Sequence, residues 1–163
     1  HQSQRNLRAQ PPRPNLMKRR PAARVILLND QNEVLLFRFS FPDGALAGQS
    51  FWATVGGAVE QGETFAQAAV RELREETGIS VADIGPALHQ SEFPLTLVDG
   101  SLVMAEEVFF GLRSAKADLS QKEWSDFERK YMVDQRWWSV EQIKATGEKV
   151  YPENLCDLIG KVQ

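Results

Sequence analysis

The stretch from Gly56 to Ile79 constrains this chain more than any other. A double glycine, Gly56-Gly57, follows the apolar run Phe51-Trp52-Ala53-Thr54-Val55, and Gly62 bends the chain again just before a helical pattern from Thr64 to Thr77. Thr64 with Gln67 has capping-box spacing, and Gly78 is a natural C-terminal stop. At about 100° per residue, Glu72, Glu75 and Glu76 fall on one arc, next to the apolar arc of Ala66, Ala69, Val70, Leu73 and Thr77. A strand thus runs through a flexible turn into an amphipathic helix with three acids at its buried margin.

That placement works against the helix. Glu72 and Glu76 are like charges four residues apart, costing about 0.2–0.5 kcal/mol. Glu75 and Glu76 also lie in the last turn, where the helix dipole disfavours carboxylates by about 0.3–1 kcal/mol. A divalent cation reverses both signs, because hard ions such as Mg²⁺ and Mn²⁺ take carboxylate oxygens and phosphate oxygens together. The alternative is an ordinary solvated face with Arg71–Glu75 as an i,i+4 pair. The glycine turn favours the cation, since a backbone without Cβ atoms lets the chain approach a ligand closely.

The flanking runs fill in a fold. Arg24–Leu28 and Val34–Phe39, around the polar turn 29–32, read as a β-hairpin. Residues 79–81 and 88–98 read as extended, with Asp99-Gly100 as a hairpin turn and Leu102–Leu112 as its partner. A short helix is expected near Trp124, a short strand at Arg136–Trp138, a helix capped by Ser139 with Gln142, and a last helix opened by Pro152. Strands and helices interleave irregularly, which predicts an α/β fold with a mixed sheet between helices.

The segment fits the signature of the Nudix hydrolases. Gly57, Glu63, Arg71-Glu72, apolar Leu73, Glu75-Glu76, Gly78 and apolar Ile79 stand at its spacings over 23 residues. Phe51-Trp52 and Arg136–Ser139 also resemble family features, while Val55 stands where many members have proline. The resemblance implies a Nudix-type α/β/α sandwich over residues 20–163, preceded by a basic arm, 1–19. It implies hydrolysis of a pyrophosphate bond in a nucleoside diphosphate derivative: a nucleoside triphosphate, an oxidised nucleotide or an ADP-ribose-like conjugate. The alternative is a Nudix-fold sensor that binds nucleotide without turnover. By similarity, Gly56 (through its carbonyl), Glu72, Glu75 and Glu76 hold Mg²⁺ or Mn²⁺, Arg71 orients the glutamates, and Glu63 pairs with Arg71. Glu72 or Glu75 is the expected base, with Glu106, Glu107, Glu123 and Glu128 open because in some branches the base sits on a later loop.

Other residues are read more plainly. Phe39, Phe41, Trp52 and Phe93 are candidates for a nucleobase pocket, although stacking tolerates any base. The double tryptophan Trp137-Trp138 reads as core, His89 as a strand surface residue and Cys156 as a buried small hydrophobe.

Charge divides the chain unevenly. Residues 1–24 hold Arg5, Arg8, Arg13, Lys18, Arg19, Arg20 and Arg24 and no acid, so the acidic remainder argues against a nucleic-acid surface. Gln10–Pro14 is stiff and extended, and Met17 is a candidate start. One cysteine and no apolar run of about 20 residues point to a cytoplasmic protein without a membrane span. The expected partner is a small-molecule nucleotide, and a homodimer is compatible with the sequence.

Overall fold

The computed structural model describes residues 17–115 and 118–163. The stiff stretch 10–14 and most of the basic arm lie outside the described residues. The elements are β1 (Arg19–Leu28), β2 (Val34–Ser40), β3 (Ser50–Ala58), α1 (Phe65–Thr77), β4 (His89–Thr96), β5 (Leu102–Arg113), α2 (Asp126–Tyr131), β6 (Met132–Trp138), α3 (Val140–Ala145), β7 (Val150–Tyr151) and α4 (Leu155–Ile159).

The sheet is mixed, as expected. β1 lies parallel to β5 along its whole length. On its other edge it meets β3 antiparallel at Ala22–Val25 and β2 at Leu28. β2 also pairs with β6, β4 with β5, and β7 runs parallel to β3. Side chains alternate between faces along a strand. In β1, Ala23, Val25 and Leu27 enter a core with Ala68, Ala69 and Leu73 of α1. Ile26 and Leu28 enter a second core with Trp138, Leu155, Leu158 and Ile159 on the α4 side. Burial on both faces explains why β1 reads as a continuous apolar run rather than an alternating one. The arrangement is the expected α/β/α sandwich.

Helix α1 starts and stops where its sequence dictates. The Gln67 N–H donates to Thr64 Oγ1 (3.1 Å) and the Thr64 N–H to Gln67 Oε1 (2.9 Å). Gly78 closes the helix at φ 81°, its N–H donating to the Arg74 carbonyl. Ser139 and Gln142 close the same reciprocal box on α3.

Several expectations are corrected. Residues 79–81 form no strand, because Ile79 is drawn into the α1 core instead. Arg19, expected at the end of the arm, belongs to β1 together with Arg20 and Arg24, and Met17 is buried. The last helix begins at Leu155, behind Asn154, not at Pro152. Cys156 is half-buried rather than enclosed. Among the described residues, no helix is long and apolar enough to cross a membrane.

Candidate active site

The site forms where β3 ends in the double glycine and α1 passes over it. The close approach is tight at both positions, against backbone at Gly56 and against a carboxylate at Gly57. A Cβ on Gly56, whose φ is 145°, would lie 2.1 Å from the Ala23 carbonyl oxygen, and one on Gly57 would lie 2.7 Å from Glu72 Oε1. The Gly56 N–H donates to Glu76 Oε1 at 2.8 Å, fixing the helix carboxylate to the turn.

Arg71 organises the acids. Its guanidinium donates to both oxygens of Glu63 (2.7 and 2.9 Å), to the Ala58 carbonyl (2.9 Å), to Glu72 (3.0 Å) and to Glu75 (3.2 Å). A planar fork suits this task, since several donors are held in one rigid plane. Hydrogen bonds from Arg71 hold the Glu63 carboxyl below its ordinary range, and the Glu60 N–H adds to this.

Glu128 completes the cluster from a distant segment. The Ser120 N–H donates to the Thr77 carbonyl (2.8 Å), and Trp124 Nε1 donates to the Glu76 carbonyl (2.9 Å). These bonds satisfy carbonyls that the end of α1 leaves unpaired, and they dock residues 118–131 on the helix. Gly78 permits the approach, because a Cβ there would lie 2.8 Å from the Ser120 Cβ. Ser125 and Glu128 form a capping box on α2. The Glu128 carboxylate is thereby held in place beside Glu76.

Carboxylate oxygens of Glu72, Glu76 and Glu128 come within 4.8 Å of one another. Glu72 and Glu76 are buried. Burial pushes the Glu76 carboxyl well above its ordinary value, and the hydrogen bond to Glu128 and the charge of Glu72 add to the effect. Burial raises Glu72 too, against the pull of Arg71. Two buried carboxyls in contact must share a proton or a cation. A hard divalent ion fits this donor set, which is all oxygen and carries excess negative charge.

The other expected site residues fall as follows. Glu75 lines the same cavity, with its carboxylate turned to Arg71 (3.2 Å) and Arg74 (3.8 Å). Glu107 is buried against Arg24 Nε (3.2 Å), while Glu106 on the opposite face pairs with Arg19. Glu123 is exposed and pairs with Arg74. His89 contacts Asn154 and the Phe109 ring, away from the carboxylates.

The cavity measures about 820 Å³. Phe39, Phe41 and Trp52 line it, but Trp52 is 3% exposed and Phe41 4%. Trp52 spends its faces on Trp138 and Arg136. Phe93 projects from β4 into solvent and does not line the cavity. Further ring surface comes from Phe51, Phe127 and Tyr151, joined through the cluster of Phe39, Phe41 and Tyr131. Phe127 and Tyr151 lie in polar stretches without strand periodicity, so nothing local in the sequence marks them as lining.

The family and its activity class follow from comparison with known proteins. The NUDIX domain model matches residues 18–158, and the chain belongs to the Nudix family. It is a Nudix pyrophosphohydrolase. Over 156 residues it is 30% identical to an RNA pyrophosphohydrolase of Halorhodospira halophila, covering 88% of this chain and 82% of that one. It is 38% identical to the dihydroneopterin triphosphate diphosphatase of Escherichia coli over 90 residues, which span 55% of this chain and 49% of the relative. A MutT protein of Methanosarcina mazei superposes with a TM-score of 0.66 at 23% identity, covering 90% and 94% of the two chains.

Proposed function

We propose that the chain hydrolyses a pyrophosphate bond in a nucleotide derivative with Mg²⁺ or Mn²⁺ held by Glu72, Glu76, Glu128 and the Gly56 carbonyl, with Glu75 beside them in the same cavity. The observation that carries the reading is three carboxylates, two of them buried, with oxygens within 4.8 Å of one another beside a glycine turn. Bound there, the ion offsets the charge of the diphosphate bridge and favours departure of the leaving phosphate.

The protein's own groups perform the rest. Arg71 holds Glu72 and Glu75 in place through one guanidinium. A water attacks phosphorus, the bond from phosphorus to the bridging oxygen breaks, and the water's proton passes to a carboxylate. Glu128 suits this role better than Glu72 or Glu75, through the carboxylate oxygen it does not give to the ion. Both of those are paired with Arg71, whereas Glu128 has no cationic partner among the described residues. The aromatic end of the cavity, at Phe51, Phe127 and Tyr151, takes the base.

One relative's name points to a pyrophosphate bond of RNA and another's to the triphosphate of dihydroneopterin. A panel of nucleoside triphosphates, oxidised nucleotides, dihydroneopterin triphosphate and ADP-ribose with Mg²⁺ and a phosphate readout tests the activity. Turnover of at least one member, abolished by EDTA, is expected. Tight binding with no turnover of any member would instead favour a sensor.

The raised carboxyls set a pH dependence. The folded state binds their protons more tightly than the unfolded chain, so in EDTA this stabilisation is present at acidic pH and fades as pH rises through the folded value. Mg²⁺ competes for the same oxygens. The thermal stabilisation by Mg²⁺ is therefore expected to be larger at about pH 8 than at about pH 5. Equal Mg²⁺ stabilisation at both values in a thermal-shift titration would contradict the ligand assignment.

A further inference from the structure

We propose that Arg20 is a seat for the terminal phosphate of a triphosphate chain, so that the site selects substrates carrying a third phosphate; this rests on the pyrophosphohydrolase reading above. The argument starts from strand register. Arg20, Ala22 and Arg24 occupy alternate positions of β1 and so share the face that bears Ile26 and Leu28. Arg20 and Arg24 both line the cavity.

Arg24 is committed. It donates to Glu107 (3.2 Å) and to the Thr54 carbonyl (3.3 Å). Arg20 is not. Among the described residues its half-buried guanidinium makes no hydrogen bond and no ion pair, although Glu107 and Glu72 act on it through space. Burial, and then the like charge of Arg24, push it below its ordinary value. Only the methyl of Ala22 stands between the two arginines on that face. A cation in such a place is compensated only through space, and has no direct partner, until an anion arrives.

Register also says which anion. β3 runs from the aromatic end at Phe51, through Thr54, to the carboxylates at Gly56-Gly57. β1 lies antiparallel to it, with Arg24 opposite Gly56 and Ala22 opposite Ala58. Arg20 therefore lies beyond the end of β3. The order along the cavity is aromatic rings, carboxylate cluster, then Arg20. A substrate whose base lies on the rings and whose scissile bridge lies at the carboxylates sends its far end to Arg20. A terminal phosphate matches that guanidinium, whereas an uncharged sugar leaves it unpaired.

The test uses two inert inorganic analogues, so it needs neither a known base nor turnover. Methylenediphosphonate has two phosphorus atoms, and its bis-methylene homologue has three. By calorimetry in Mg²⁺, the wild-type protein is expected to prefer the three-phosphorus analogue by about ten- to hundredfold, as a charge-assisted contact provides. Arg20→Ala is expected to reduce that preference to within about twofold, and Arg20→Lys to retain part of it. No preference in the wild type, or the same preference in Arg20→Ala, would overturn the assignment. Either result would leave intact the dependence of hydrolysis on the glutamates, which is measured separately.

Discussion

Glu76→Gln is expected to lower hydrolysis at least about a hundredfold, as loss of a metal-ordering group does, while the cation-free protein becomes more heat-stable. The two effects have one cause. In the absence of an ion, Glu76 is buried in contact with Glu128 and lies close to Glu72, and burial and those neighbours all oppose its charge. Glutamine has the same shape. Its oxygen can keep the hydrogen bond from the Gly56 N–H, and its amide nitrogen can donate to Glu128. A rise in melting temperature of about 2–4 °C in EDTA corresponds to about 1 kcal/mol in a chain of this size. Adding Mg²⁺ is expected to stabilise the wild type and to stabilise the variant far less. A variant that stayed active, or that melted lower in EDTA, would show that Glu76 serves the fold rather than an ion.

The second large effect concerns the double glycine, where neighbouring positions should fail in different ways. Gly56→Ala is expected to destabilise the protein by about 3 kcal/mol or more, from a left-handed backbone angle plus overpacking. The melting temperature should fall by about 6–12 °C. The clash is with the Ala23 carbonyl on β1, and β1 is paired along its whole length with β5, so neither strand can yield cheaply. Gly57→Ala meets the carboxylate of Glu72 instead. A side-chain end can swing away, so little stability is lost while the ligand geometry is. Thermal melts and initial rates on both variants separate the two cases. Equal loss of stability in the pair would contradict this reading of the turn.

Much of this was legible because local rules and the global fold agree at Thr64, Gln67, Leu73 and Gly78. Capping, periodicity and a left-handed stop all specify the same helix. The strained placement of Glu72, Glu75 and Glu76 was legible as well, since it opposes helix stability. Glu128 was legible only as one of four later candidates for the base. Its placement is long-range: it reaches the cluster through hydrogen bonds from Ser120 and Trp124 to the end of α1, and no periodicity encodes such a docking. Arg20 and Arg24 were obscured by counting charge over the N-terminal stretch. Their two-residue alternation with Ile26 and Leu28 would have placed them on a strand face. Phe39, Phe41 and Trp52 all line the cavity, but ring type alone says nothing about how much open face each ring keeps, and Phe41 and Trp52 keep little.

The most direct measurement is an anomalous-difference map from crystals of this protein soaked in Mn²⁺. The peak is expected between the carboxylates of Glu72, Glu76 and Glu128, next to the Gly56 carbonyl. Ordered carboxylates with no peak among them, or a peak elsewhere in the cavity, would contradict the cation site on which the proposed hydrolysis depends.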